Sequence, residues 1–376
     1  MSSSSSRAQE SRLRFSSVLD RVAAYPKAGG YRLPDSVALM ASNEGPEPLD
    51  PEVAAVVAEA ASGINRYPDP GAAELRGELS GLWGVPPEQI GLGNGSCDLL
   101  IALGSALLEP GANVVYAWPS FSVYPMLAQL TGADEVRVPL DGDTHDLGAL
   151  LAAVTPDTRL VIVCNPNNPT GTSLPADQIE DFARAVPSDV CVLIDEAYVE
   201  FSDVCGPREL LGLVAELPNV VLLRTFSKAH GLCGLRVGYG LFGSSELVEA
   251  TDRLRQPFYL NHLAQTAAVA MLHRPEILDR RVQTQLASRD ELATGLTDLG
   301  YDVSPAQANF VWAQLPEMDG LSGDERTAAE AAVVAELRDA GVLVRAGTAL
   351  GEPGRLRIST GTSEEQARLL AALAAR

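Results

Sequence analysis

The chain predicts an α/β protein, with a largely parallel sheet flanked by helices and followed by a smaller α+β unit. Three observations carry this. Short runs rich in Val, Ile and Leu, with little polar alternation, recur up to about Phe242. Runs of that kind suit strands buried on both faces. Helical periods separate the runs, and regular strand–helix alternation implies parallel pairing. Beyond Gly300 the remaining strand candidates and two long helical stretches follow a different, antiparallel-looking order.

Residues up to about Tyr31 read as a disordered, serine-rich tail and a short amphipathic piece. Met1–Arg7 has no apolar centre and is not expected to act as a secretory signal. Val37–Pro46 reads as an extended segment entering a turn, and Pro51–Ala61 has helical period. Asn65–Pro70 reads as a stiff, exposed loop, because its two prolines hold it extended and cannot join a ladder. Tyr67 on that loop is either a surface residue or a contact reaching another subunit. The strand runs are Ile90–Leu92, Asn113–Ala117, Arg159–Cys164, Val190–Ile194, Val220–Leu223 and Arg236–Phe242. Pro257–Gly300 is helical and broken at Pro275. The later strands are Asn309–Ala313, Val342–Arg345 and Leu356–Ser359, with helices Arg326–Ala340 and Ser363–Ala375.

The bulk composition narrows the function. A chain of 376 residues allows two or three domains. A net charge of −21 argues against nucleic acid and against anionic membrane surfaces. The longest apolar stretches, such as Leu99–Leu108, fall well short of the roughly 20 residues that span a bilayer. Cys97, Cys164, Cys191, Cys205 and Cys233 form no Cys-x-x-Cys pair. They read as buried free thiols in a reducing cytosol. No zinc-type spacing links them to the four histidines, so no metal is expected. In so acidic a chain, Arg224, Lys228, Arg236, Arg345 and Arg357 are informative, since each lies in an apolar or Gly-rich context. Arg280 and Arg281 read as solvated helix residues.

In parallel α/β sheets, ligands bind beyond the carboxyl ends of the strands, so the loops there carry the functional reading. Gly91–Ser96 opens a helix, and its glycines would let backbone N–H groups approach an anion. Ser96 could equally be a helix cap only. Phe121 follows the next strand and is either ordinary core or a surface for stacking a planar ring. Asn165–Gly171 is a rigid Asn/Pro turn, or a device pinning one amide at a strand mouth. Asp195 directly follows an apolar strand. A carboxylate there is costly to bury unless it meets a cation, either a structural arginine or a protonated ring nitrogen. Tyr198 lies close by. Lys228 is one of only two lysines, with Lys27, among 28 basic residues. An amine where arginine is the default suggests chemistry that needs a removable proton, although a chance surface lysine would look the same. Thr225, Ser227 and Arg236 add hydroxyls and a phosphate-binding fork. Together these groups suit pyridoxal phosphate.

The motifs Asn165-Pro-Asn-Asn-Pro-Thr-Gly, Asp195-Glu-Ala-Tyr, Thr225-Phe-Ser-Lys with Gly-Leu-Arg-Val-Gly, and Leu356-Arg-Ile-Ser-Thr-Gly resemble the histidinol-phosphate aminotransferase family. The resemblance covers nearly the whole chain. Ala41-Ser-Asn-Glu and Ala306-Gln-Ala-Asn-Phe-Val-Trp look closer to its actinobacterial aromatic amino acid aminotransferase branch. The resemblance implies the fold type I of pyridoxal-phosphate-dependent transferases, with a seven-stranded, mainly parallel sheet. It implies a division into residues 1–38 (a tail and an arm packing with the small domain), 39–262 (the large cofactor-binding domain) and 263–376 (the small domain). By the same resemblance, Lys228 is the Schiff-base lysine, Asp195 the partner of the ring nitrogen, and Asn168 with Tyr198 the ligands of the ring oxygen. Phe121 takes the stacking position. Ser96, Cys97, Thr225, Ser227 and Arg236 take the phosphate, joined by Tyr67 from a neighbouring subunit of a homodimer. Arg357 holds the substrate's carboxylate or phosphate, with Arg345 and Asn309 at further substrate contacts. His230 and Cys233 depart from the family pattern beside the lysine loop.

The implied activity is a ping-pong, cytoplasmic aminotransferase. It would move an amino group between an aromatic amino acid or histidinol phosphate and 2-oxoglutarate, with the aromatic donor favoured. A histidinol-phosphate aminotransferase of histidine biosynthesis is the alternative, and a decarboxylase or lyase on the same scaffold a weaker one. A cofactor-sensing regulator would need a basic DNA-binding segment, which the sequence lacks.

Overall fold

The computed structural model of the protein describes residues 13–22 and 37–376. The serine-rich tail, Lys27 and Tyr31 lie outside the described residues. From Ala38 the chain runs β1 (Ala38–Leu39), α1 (Pro51–Ala60), α2 (Ala73–Trp83), β2 (Ile90–Gly93), α3 (Ser96–Leu107), β3 (Asn113–Trp118), α4 (Tyr124–Thr131) and β4 (Asp134–Pro139). It continues through α5 (Leu147–Ala152), β5 (Thr158–Cys164), α6 (Ala176–Ala185), β6 (Cys191–Asp195), α7 (Leu211–Glu216), β7 (Val220–Thr225), β8 (Gly238–Phe242) and α8 (Ser245–Asp252). The last part holds α9 (His262–Leu272), α10 (Pro275–Asp298), β9 (Asp302–Val303), β10 (Phe310–Gln314), α11 (Gly323–Asp339), β11 (Val342–Leu343), β12 (Arg345–Ala346), β13 (Arg355–Ser359) and α12 (Ser363–Ala374).

Seven strands form the main sheet in the order β2-β8-β7-β6-β5-β3-β4. Strands β3 to β7 pair in parallel, and β8 runs antiparallel between β7 and β2. Alternate residues of one strand feed opposite cores: Val161 and Val163 pack on one face, Leu160, Ile162 and Cys164 on the other. Both faces are covered, which is why these strands read as continuous apolar runs. Strand β4 breaks that rule and did not read as a strand. It is an edge with several exposed, charged positions, so only Val138 is buried.

The small unit is an antiparallel sheet, β12-β13-β10-β9, with its own core under α11 and α12. The single run Val342–Arg345 splits between two sheets: β11 pairs in parallel with β1, and β12 pairs with β13. Capping boxes at Ser322/Glu325 and Thr362/Glu365 start α11 and α12. A division at 262 would give α9 to this unit, but Ala264 and Ala267–Met271 belong to the large sheet's core. The described part of the N-terminal arm, residues 13–22, lies against α4, with Arg21 Nε donating to Gln129 O at 3.2 Å. Among the described residues of the arm, Ala38 joins β11 of the small unit. Arg281 also corrects its reading as a solvated residue. Its side chain is 3% exposed and faces inward from α10, whereas Arg280 does lie at the surface, paired with Asp50 at 2.7 Å.

Candidate active site

The loops after β2, β3, β5, β6 and β7 open into one cavity of about 350 Å³ between the main sheet and the small unit. Ser96, Cys97, Phe121, Asn168, Asp195, Tyr198, Thr225, Ser227, Lys228, Arg236, Arg345 and Arg357 all line it. The structure thus gathers twelve of the expected residues on one cavity. Asn309 and Tyr67 are the two that it does not bring to the wall.

Asp195 is the last residue of β6 and sits beside Cys164 of β5 in register. The Tyr124 hydroxyl donates to its Oδ2 at 2.8 Å, and the Ala197 N–H donates to Oδ1 at 3.2 Å. Its carboxylate is 4% exposed, and among the described residues no cation pairs with it. The structural arginine it might have met is taken: Arg224 Nε donates to Glu196 at 2.7 Å, and its guanidinium stacks on Trp83, off the cavity. Burial therefore raises the Asp195 pKa to about 6, against the two hydrogen bonds that lower it. A buried carboxylate facing a cavity without a counter-ion suits a ligand that brings its own positive charge.

Lys228 follows β7 in the next loop. Its Nζ donates to Ser42 O at 3.0 Å and lies 5.8 Å from the Tyr198 ring centre. Desolvation, and then the Arg357 guanidinium, bring its pKa down to about 8. Near neutral pH a fraction of this amine is therefore free to act as a base or nucleophile.

The phosphate-type cradle is built by glycines. Gly95, at φ +85°, is the N-cap of α3, so Ser96 is the first helical residue and not the cap. A Cβ on Gly95 would lie 2.5 Å from an Arg236 nitrogen, and one on Gly238 would lie 2.4 Å from the Ser96 nitrogen. Without side chains at these two positions, Arg236 lies against the start of α3. There the first N–H groups have no intrahelical partner and favour an anion. Arg236 itself takes φ +62° and donates to Cys233 O at 2.8 Å. The Thr225 hydroxyl accepts from the Ser227 backbone N–H at 3.1 Å, and both residues line the same wall.

From the small unit, Arg357 donates to Asn168 Oδ1 and to Ala41 O, each at 2.7 Å. The first bond commits the Asn168 oxygen and leaves its amide N–H groups to a ligand. Arg345 stands opposite Arg357 in the β12–β13 register and lines the same cavity. Tyr198 accepts from Asn43 Nδ2 at 2.9 Å, so its own O–H remains to donate.

Asn309 is fully buried below the cavity, donating to Gln285 Oε1 at 3.0 Å and Asn43 O at 3.3 Å. Tyr67 is 80% exposed and stacks on Phe258 at 4.3 Å. His230 does not reach the cavity either. It packs on Phe226 at 4.6 Å, and burial, with Arg281 nearby, lowers its pKa to about 4. Cys233 and Cys97 line the cavity half-buried, so only Cys164, Cys191 and Cys205 are the buried thiols expected. Among the described residues no cluster could hold a metal ion. Sequence reasoning missed Tyr124 and left Asn43 as an anonymous motif residue. A tyrosine in the first turn after a site-forming loop is the signal that could have found Tyr124.

The residues fit pyridoxal phosphate: an amine of lowered pKa, a buried carboxylate lacking a cation, and a helix-start cradle closed by Arg236. Comparisons with known proteins agree. The profile of the family described as "Aminotransferase class I and II" matches residues 35–373. An aromatic amino acid aminotransferase of Thermobifida fusca is 47% identical over 304 residues, covering 80% of this chain and 84% of the relative. A histidinol-phosphate aminotransferase of Ralstonia nicotianae is 43% identical over 334 residues, covering 89% and 87%. The crystal structure of the histidinol-phosphate aminotransferase of Sinorhizobium meliloti in complex with pyridoxal-5'-phosphate superposes with a TM-score of 0.85 at 28% identity, over 97% of this chain and 98% of that one.

Proposed function

The chain belongs to the class I and II aminotransferases, enzymes that use pyridoxal phosphate, and we propose that it moves an amino group from an aromatic amino acid to 2-oxoglutarate. The observation that carries the catalytic reading is the pairing, in one cavity, of Lys228 at lowered pKa with Asp195 buried and lacking a cation. The support for the donor is the resemblance to aromatic amino acid aminotransferases, joined by a cavity wall that includes Phe121, Ala197 and Leu350.

When bound, pyridoxal phosphate supplies an aldehyde carbon and an electron-withdrawing ring. Lys228 Nζ would carry a proton between the substrate's α-carbon and that aldehyde carbon, in opposite directions in the two halves of the cycle. Asp195 would hold a proton at the ring nitrogen, with Tyr124 keeping the carboxylate aimed. Asn168 Nδ2 and the Tyr198 O–H would hold the ring oxygen, and Phe121 would cover the ring. The N–H groups of Ser96 and Cys97, the hydroxyls of Thr225 and Ser227, and Arg236 would hold the phosphate. Arg357 orients the substrate carboxylate through its planar fork. Asn309 acts one layer further out by fixing Asn43.

Histidinol phosphate is a second reading, favoured by the opposed Arg345 and Arg357, which together suit a phosphate as well as a carboxylate. The enzyme is proposed to work as a homodimer in which Tyr67 reaches the partner's cofactor phosphate. Its exposure and its stacking on Phe258 support that role. Among the described residues no helix is long and apolar enough to cross a membrane. A cytoplasmic location is proposed from the five free cysteines, and cell fractionation checks it.

The donor is tested by mixing the cofactor-loaded protein with phenylalanine, tyrosine, tryptophan, histidinol phosphate and glutamate in turn and following the loss of the visible cofactor absorbance. The aromatic amino acids should react. If, glutamate aside, only histidinol phosphate reacts, the aromatic reading is wrong.

A further inference from the structure

We infer that Arg281 is a positioning residue, locking the Lys228 loop and the facing wall of the cavity into one unit anchored on α10. Its three nitrogens go to three separate carbonyls. Nε donates to Ala229 O at 3.2 Å, the residue after Lys228. One terminal nitrogen donates to Pro48 O at 3.0 Å, the other to Glu47 O at 3.4 Å, and the Glu47 carboxylate stands 3.6 Å away.

Two glycines make room for this guanidinium. A Cβ on Gly45 would come within 2.9 Å of its terminal nitrogen, and one on Gly231 within 2.4 Å. Gly231 takes φ +71°, and its N–H donates to Lys228 O at 3.0 Å, so the turn that accepts the guanidinium starts at Lys228 itself. The residues tied to Pro48 and Glu47 continue back into Ser42, Asn43 and Glu44, which line the cavity. One catalytic contact spans the same gap, Lys228 Nζ to Ser42 O at 3.0 Å, and the wall also carries Asn43, whose Nδ2 donates to the Tyr198 hydroxyl at 2.9 Å. The first depends on the loop and the wall keeping their separation, the second on the wall holding its place. A lysine at 281 has one nitrogen and cannot serve three divergent carbonyls, whereas a planar fork can.

The geometric tie stands on these contacts alone, and its kinetic consequence rests on Lys228 being the reacting amine. Amide hydrogen exchange on the cofactor-free protein tests the tie. In Arg281→Ala, segments 41–48 and 226–233 should both exchange about tenfold faster, while strands β5 and β6 keep their rates. Ethylguanidine, filling the vacated space, should restore protection. Arg281→Lys keeps the charge, so it separates position from electrostatics. In the cofactor-loaded form, the pH midpoint of its visible absorbance should move by about half a unit or more. Wild-type exchange in either segment, uniform acceleration through the sheet, or an unmoved midpoint overturns the inference. Should Arg281→Ala not fold, Arg281→Lys carries both readouts. A failed aminotransferase reading would show in the donor screen and leave the exchange result intact.

Discussion

The Tyr124 hydroxyl donates to Asp195 Oδ2 at 2.8 Å, and both groups are buried at the floor of the cavity. This bond aims a carboxylate that no cation among the described residues neutralises. Tyr124→Phe removes the donor without changing the ring's packing on Tyr116 and Phe121. A hydrogen bond to a charged group contributes about 1.5–3 kcal/mol. Cofactor should therefore dissociate about ten- to a hundredfold faster in a fluorescence release assay. A wild-type release rate would show that Asp195 is held by the Ala197 N–H alone.

Asp195 gives a pH prediction with a definite sign. Its folded pKa, about 6, lies above the ordinary 3.8, so the folded state favours the proton. The destabilisation is absent below about pH 4, grows between there and about 6, and is complete above about 6. A gap of about two units corresponds to on the order of 2–3 kcal/mol. Cofactor-free Asp195→Asn should therefore melt higher than wild type at pH 8 and match it near pH 4. The same variant should turn over poorly, because an amide does not hold a proton at the ring nitrogen. Equal melting temperatures at pH 8 would mean the carboxylate already has a counter-ion.

How much of this site the sequence disclosed depends on how each residue acts. Lys228, Asp195 and Asn168 end apolar strands or follow them in short loops, and Arg236 stands just before β8, so their position aims them at the cavity. Tyr124, Asn43 and Arg281 act through contacts that exist only after folding, and neither periodicity nor spacing marks them. Arg281 shows the limit most clearly: a polar helical stretch hides one inward arginine, because its partners are three distant carbonyls. Strand β4 was hidden by the charges of an edge, and the split of Val342–Arg345 between two sheets by its brevity.

The Arg224–Glu196 pair is fully buried at 2.7 Å and lies off the cavity. Removing one partner should cost about 3–5 kcal/mol by stranding the other charge. Glu196→Gln should accordingly lower the melting temperature by several degrees and leave the visible spectrum of the folded, loaded fraction unchanged. A changed spectrum with unchanged stability would move this pair into the active site.

Tyr67 should matter to cofactor retention and not to folding. Its side chain is exposed on one chain. Tyr67→Phe should remain dimeric by sedimentation and bind cofactor about tenfold more weakly, as expected for one lost hydrogen bond to a charged phosphate. Undiminished affinity would remove Tyr67 from the neighbouring subunit's site.

The account centres on Lys228 as the amine that meets the cofactor, and the scarcity of lysine makes that unusually direct to measure. The chain has only Lys27 and Lys228. The loaded protein is reduced with borohydride, digested and mapped by mass spectrometry. The cofactor's mass should appear on the peptide carrying Lys228 and disappear in Lys228→Ala. A stable adduct on Lys27 with Lys228 unmodified, or full turnover by Lys228→Ala, would contradict the account.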